Sequence, residues 1–216
     1  MRFFLFTFIY FLFIMTSCQS SAQSTYTIET NLGKIQVKLY DQTPLHKENF
    51  EKLVDAKLYD NVLFHRIIQG FMIQTGDPAT KPDFDGSTSG IDLNYTVPAE
   101  FVPEYYHKKG ALAAARIGDH VNPEKRSSSS QFYIVQGRKF DNEELYDIEA
   151  QSDIKFSESQ REVYKAIGGT PFLDQNYTVF GEVVKGIEVV DAIAAVPTGA
   201  RDFPEVEVRI LRIVKD

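Results

Sequence analysis

From Tyr26 onward the chain alternates apolar and polar positions in short runs, first YTIET and then KIQVKLY, with NLG between them. A period of two over so few residues is that of half-buried strands, and Asn31 and Gly33 take positive φ readily, so the runs are expected to form a hairpin. The period then changes. In DQTPLHKENFEKLVDAKLYD, which begins at Asp41, Thr43 can cap and Pro44 suits a first helical position. Leu45, Phe50, Leu53 and Val54 recur near helical spacing, which predicts a helix packed by that face and ending near Ala56. Strand-like runs return in VLFHRIIQ, FMIQTGD, ALAAARI, SQFYIVQ, YTVFGEVV and EVEVRILRIV, separated by Gly, Pro, Asp and Ser clusters, while GIEVVDAIAAV, closed by Pro197, reads as a second helix. Strands without regular strand-helix alternation argue against a doubly wound parallel sheet and for a mainly β antiparallel barrel or sandwich.

One region breaks this rhythm. DNEELYDIEAQSDIKFSESQREVYKAIGG, beginning at Asp141, is acidic and helix-forming, with Ser157 and Gln160 at capping-box spacing and Gly168-Gly169 as a stop. Residues 138–170 therefore read as a helical insertion between two strands, its charges a solvated face.

The N-terminus follows a different pattern. In residues 1–17 a single positive charge, Arg2, precedes an apolar run from Phe3 to Met15, shorter than the roughly 20 residues of a spanning helix, so it reads as a signal peptide. Cys18 follows, and MTSC resembles a bacterial lipobox with Met15 where Leu is usual, which makes Cys18 a lipid-attachment site. A plain secretory signal cut near Ala22 and a short uncleaved anchor stay open as alternatives. Residues 18–25 are small and polar, a flexible tether, and 26–216 are expected to form one domain. Cys18 is the only cysteine, so the folded part holds no disulfide. With 216 residues, 43% of them hydrophobic, the chain suits one ordinary globular domain. Its net charge of −7 argues against nucleic acid as a partner, since phosphates would be repelled.

Candidate chemistry concentrates in FHRIIQGFMIQTGD, from Phe64 to Asp77. In an extended FHRII, Arg66 shares a face with Phe64 and Ile68, and a guanidinium on an apolar face needs a partner or a function. Gln74, beyond the bend at Gly70, can offer its amide oxygen to Arg66, and Phe71 and Met72 supply apolar walls. In SQFYIV, Gln131 and Tyr133 share one face and Phe132 takes the other. The plainer features carry less. His65 reads as a structural histidine, and the histidines at 46, 65, 107 and 120 have no metal spacing, so no metal or cofactor is expected. GSTSG at Gly86 lacks a nucleophile-elbow context, DFDG from Asp83 lacks the remaining ligands of a calcium loop, and the NYT sequons at Asn94 and Asn176 carry no meaning in a bacterial lipoprotein.

FHRIIQGFMIQTGD, SSSSQFYIV and FLDQNYTVFGEVVKG together resemble the cyclophilins, peptidyl-prolyl cis-trans isomerases built on an eight-stranded antiparallel barrel capped by two helices, and the resemblance runs from about Tyr26 to Val214. It implies that Arg66 is the catalytic donor to the prolyl nitrogen and that Gln74 orients it. It also implies a pocket of Phe71, Met72, Phe132, Tyr133 and Leu173, with Tyr133 at the aromatic floor position where Phe is more common, and Gln131 on the substrate backbone. Ala115 and Arg116 stand at the family's Ala-Asn step, where main-chain groups bind the peptide; the extra cation at the rim is expected to alter the preferred residue before proline. Phe172 stands where many members have Trp and Tyr177 where they have His, and both keep a ring. Lys57 and Asn61 replace usual glycines, which puts the local turn in doubt. The implied protein is a monomeric isomerase without cofactor that acts on proline-containing unfolded or extended polypeptides and is anchored by lipid in the bacterial cell envelope, on the periplasmic side. The alternative is a catalytically idle module that binds prolyl peptides or serves as a chaperone through its insertion.

Overall fold

The computed structural model describes residues 24–86, 88 and 90–216; the signal peptide, Cys18 and most of the tether lie outside them. Ten strands follow in chain order: β1 Thr25–Thr30, β2 Gly33–Leu39, β3 Arg66–Ile68, β4 Met72–Thr75, β5 Thr96–Val97, β6 Ala111–Ala114, β7 Ser127–Ser128, β8 Phe132–Val135, β9 Val179–Lys185 and β10 Ile210–Lys215. Eight of them form one antiparallel sheet in the order β10-β1-β2-β9-β6-β8-β4-β3, and β5 pairs separately with β7. The sheet curls until its edges meet, because Phe64 N donates to Val208 O at 2.8 Å and Ile210 N to Val62 O at 2.9 Å. This is the expected mainly β barrel.

The β1-β2 hairpin forms, with Gly33 at φ 141°. Asn31 does not join it at positive φ; its side-chain amide instead bonds Glu207 O at 3.0 Å and Arg209 N at 3.0 Å, tying the turn to the chain before β10. Helix α1, Pro44–Asp55, starts at the proline as expected but is not capped by Thr43, whose hydroxyl donates to Tyr40 O. The carboxylate of Glu100 caps it from a distant loop, accepting from Leu45 N and His46 N at 3.1 and 3.0 Å. That contact turns His46 inward beside Phe50, Leu53 and Val54 and leaves Leu45 exposed, against the helical spacing. Lys57 and Asn61 both adopt the left-handed conformation that a glycine would favour, at φ 56° and 63°.

Between β8 and β9 lie α2, Asn142–Gln151, and α3, Glu158–Ala166. Both begin with capping boxes, Ser157 with Gln160 as read from the sequence and Asp141 with Glu144 in addition. Gly168, at φ 86°, follows the last residue of α3's cap, so the helix stops there. The two helices enclose a small core of Leu145, Ile154, Phe156 and Tyr164. Helix α4, Ile187–Ala194, packs Val190 and Ile193 into the barrel interior.

Alternation along the strands divides the apolar residues between two layers. Ile73, Leu112, Phe132 and Ile134 point inward to the barrel core with Phe50, Phe64 and Phe180. Their neighbours Met72, Ala113, Tyr133 and Val135 point the other way and form a second layer with Phe71, Leu173 and Tyr177. A sheet face that is apolar on the outside of a barrel needs a cover or a ligand.

Candidate active site

Register sets the polar residues of that outer layer in a row. Arg66 of β3 pairs with Gln74 of β4, Gln74 with Tyr133 of β8, and Tyr133 with Ala113 of β6. Directly paired residues of an antiparallel sheet project to the same side, so the four side chains line up across four strands. The next row is Ile68, Met72 and Val135. Above them opens a hollow of about 390 Å³, counted to its mouth, lined by Arg66, Phe71, Met72, Gln74, Ala115, Arg116, Tyr133, Leu173 and Tyr177. The groove continues past Gln74, Ala115 and Arg116 into a second hollow that holds Gln131.

Arg66 does not share a face with Phe64. The extended chain breaks between Phe64 and β3, because Leu63 bridges to Arg209 across the closing edge, and Phe64 goes to the core while Arg66 joins the outer row. Arg66 is half-exposed, and its Nε donates to Asp202 Oδ2 at 3.2 Å. Gln74 does not supply that bond. Its amide nitrogen donates to Gln131 Oε1 at 3.0 Å and lies 3.4 Å from His65 Nε2, and Gln131 Nε2 in turn donates to Asp77 Oδ2 at 3.3 Å. The carboxamides form their own chain along the rim, and the partner of Arg66 comes from the turn at Ala200–Asp202. Burial pushes the His65 imidazole below its ordinary 6.5, so it is neutral at pH 7 and adds no second cation beside Arg66.

Phe132 stands inside the barrel, edge-on to Phe50 and Tyr59 at 5.6 and 5.3 Å, and contributes nothing to the hollow. Tyr133 forms its floor; burial raises its phenol well above the usual 10, and its hydroxyl points away from the cavity toward His107. Phe172 is exposed and sits 5.8 Å from Phe71, outside the lining. Arg116 lines the hollow without offering a free charge, since its side chain is only 3% exposed. Its Nε donates to Asn176 O at 2.7 Å, its Nη1 to Asp119 Oδ1 at 2.5 Å, and it lies 4.3 Å over the Tyr177 ring. The expected rim cation is therefore neutralised within the protein. Ala115 uses both main-chain groups internally, donating to Gln131 O at 3.0 Å and accepting from Ser128 N at 2.8 Å. Among the described residues, no hydrogen bond uses the main-chain N–H or C=O of Arg116.

The sequence reading missed Asp202, His107 and Asp174. No local signal marked Asp202, which lies 136 residues beyond Arg66. Among the described residues no cluster of His, Cys, Asp and Glu could hold a metal ion, and no helix is long and apolar enough to cross a membrane.

The family model described as cyclophilin type peptidyl-prolyl cis-trans isomerase/CLD matches residues 25–215. A Staphylococcus epidermidis protein carrying the peptidyl-prolyl cis-trans isomerase name is 35% identical over 85% of this chain and 87% of its own length. A Streptococcus pyogenes protein named as a bifunctional phosphatase/peptidyl-prolyl cis-trans isomerase is 38% identical over 85% of this chain, which spans only 37% of that relative. Among solved structures, a Cryptosporidium parvum cyclophilin type peptidyl-prolyl cis-trans isomerase superimposes with TM-score 0.65 at 25% identity, over 90% of this chain and 98% of that one. The same protein in the presence of the dipeptide Ala-Pro gives 0.63.

Proposed function

The chain belongs to the cyclophilin type peptidyl-prolyl cis-trans isomerases, and from that premise we propose that its groove takes the prolyl ring on Tyr133 while Arg66 donates to the prolyl nitrogen. Rotation about an Xaa–Pro bond must overcome a resonance barrier of about 18–20 kcal/mol, and no bond is broken. As the amide twists, the nitrogen lone pair leaves conjugation and becomes a hydrogen-bond acceptor. A donor fixed at that point stabilises the twisted state more than either planar state, which is what lowers a barrier. Arg66 is permanently charged, and with Nε directed to Asp202 its terminal nitrogens are left for the substrate. Phe71, Met72, Tyr133 and Leu173 grip the ring and exclude water, so the preceding carbonyl is the part that swings. The free main-chain groups of Arg116 suit an extended peptide strand along the groove. A 10⁵-fold acceleration needs about 7 kcal/mol, which a charge-assisted donor, a dry pocket and positioning supply together.

The observation that carries this reading is the row of Arg66, Gln74 and Tyr133 at the edge of a hollow with apolar walls. Line-shape or exchange NMR on an Ala-Pro peptide, with wild type against Arg66→Ala, tests it. Loss of one such donor lowers the rate by about 10²–10³-fold; equal rates, both no faster than buffer, would leave only a peptide-binding module.

The clients we propose are extended or unfolded exported chains, whose folding the enzyme assists as a monomer held on the periplasmic side of the envelope. The apolar run of Phe3 to Met15, Cys18 directly after it and the polar stretch before β1 support export and lipid attachment. Cys18→Ser is expected to release the protein from membranes, and full membrane recovery of that variant would contradict the lipid.

A further inference from the structure

Tyr133 is held from behind by a buried chain of polar groups that the isomerisation itself does not require. Its hydroxyl lies 3.0 Å from His107 Nε2, and His107 Nδ1 lies 2.8 Å from Asp174 Oδ1. The same carboxylate oxygen accepts the main-chain N–H of His107 at 2.8 Å, and Oδ2 accepts the hydroxyl of Tyr164 on α3 at 2.6 Å. All four residues are buried, none more than 4% exposed. The direction of each bond follows from the donors available. An ionised carboxylate only accepts, so in the tautomer that donates Nδ1–H to Asp174 the neutral ring's Nε2 accepts the Tyr133 hydroxyl. The imidazole also stacks on the Tyr133 ring at 6.1 Å and 16° between planes, while Tyr177 meets that ring edge-on at 6.0 Å.

Phenylalanine at 133 would present the same apolar face to the groove, so the hydroxyl serves something other than lining. Where it leads is the helical segment. The chain leaving α3 packs on His107 and on Tyr164 of that helix at Gly169, where a Cβ would meet His107 O at 2.2 Å and the Tyr164 ring at 2.6 Å. Thr170 N donates to that same carbonyl at 2.8 Å. We propose that Tyr133, His107, Asp174 and Tyr164 form a positioning relay that sets the angle of the groove floor and makes prolyl-peptide affinity depend on α3. The proposal rests on the reading of the groove as the prolyl site. It adds that the α2–α3 segment tunes that site from behind rather than by contact with substrate.

The test uses the full folded chain, an Ala-Pro peptide and exchange NMR, with kcat and KM resolved. Tyr164→Phe keeps its ring, touches no substrate and removes one bond of the relay. It is expected to raise KM by about two- to tenfold, the worth of one hydrogen bond, with kcat within twofold of wild type. Tyr133→Phe, which removes the same link at the groove floor, is expected to raise KM as well, and the double variant to have a KM no higher than that of Tyr133→Phe alone, because the link is already cut. Nitrogen-15 spectra of wild type should show the His107 proton on Nδ1 and a bare Nε2. An unchanged KM in Tyr164→Phe, multiplying effects in the double variant, or a proton on Nε2 would each overturn the relay. An inactive wild type would instead overturn the assignment of the groove, so the two failures are distinct.

Discussion

Asp202→Asn isolates the ion pair that aims Arg66. Asp202 stands at φ 60°, a left-handed conformation that Asn tolerates as well as Asp does, so the turn keeps its path while the charge is removed. The contact is 3.2 Å and both side chains are 43% exposed, which places it among solvent-accessible ion pairs. Such pairs contribute about 0.2–1 kcal/mol. If all of that is felt in the twisted state, the rate constant falls by about 1.4- to 5-fold. The loss should appear in kcat more than in KM, because the aim of the guanidinium matters only once the prolyl nitrogen has left conjugation. Salt supplies the decisive control. The screening length shrinks from about 10 Å at 0.1 M to about 3 Å at 1 M, so wild type should approach the variant as salt rises, whereas the variant should change little. Exchange NMR suits the assay because no coupling protease is present to respond to salt. A variant as fast as wild type at low salt would refute the argument, and so would a deficit of the same size at 1 M.

Other perturbations test the two faces of the sheet and its charges. Phe132→Leu removes part of a ring packed in the barrel interior, so urea unfolding should show a loss of about 1–3 kcal/mol with KM unchanged; a shift in KM would put Phe132 back in the groove. Glu182 bridges Lys38 and Lys108 at 2.8 and 2.7 Å. Burial alone would raise its carboxyl, but the lysine hydrogen bonds outweigh it and hold the group below its ordinary 4.5. A depressed folded value stabilises the fold above the unfolded value and ceases to do so as pH falls through the folded one. Glu182→Gln should therefore melt earlier than wild type at pH 7, with the gap closing below about pH 4.5; a gap that persists in acid would show that packing, not charge, is what Glu182 contributes.

Features carried by neighbours in sequence were legible. The opposite facing of Phe132 and Tyr133 follows from the pleat alone, and the structure divides them between core and groove as alternation requires. The capping box of Ser157 and Gln160 closes within one turn and forms as read. The cap of α1 failed for the complementary reason. Thr43 has the right chemistry, but Glu100, more than fifty residues away, brings two carboxylate oxygens and a bond to His46 Nδ1 at 2.7 Å, and a charged acceptor outcompetes a hydroxyl. Alternation also misplaced Phe64 relative to Arg66, since the bridge of Leu63 to Arg209 interrupts the strand there and no local residue announces it.

The same distinction governs the site. The period of β8 showed that Tyr133 and Gln131 share a face, while Ala115 and Leu173 were placed by the resemblance alone, since Leu173, Phe71, Arg116 and Tyr177 line the hollow from outside the strands. What aims those groups could not be placed. Arg66 meets Asp202, Tyr133 meets His107, and Arg116 meets the Asn176 carbonyl, each from a separate stretch of chain. A side chain's type states what partner it needs without saying which segment folding will bring to it. Arg116 shows the consequence: as a sequence change from Asn to Arg it suggested a new charge for substrates, yet Asp119, Asn176 and Tyr177 enclose that charge before any substrate arrives. Its contribution to the groove then lies in its backbone and in fixing Tyr177 against Tyr133, so Arg116→Lys, which cannot bridge the same partners in a plane, should loosen that ring rather than change the charge preference before proline.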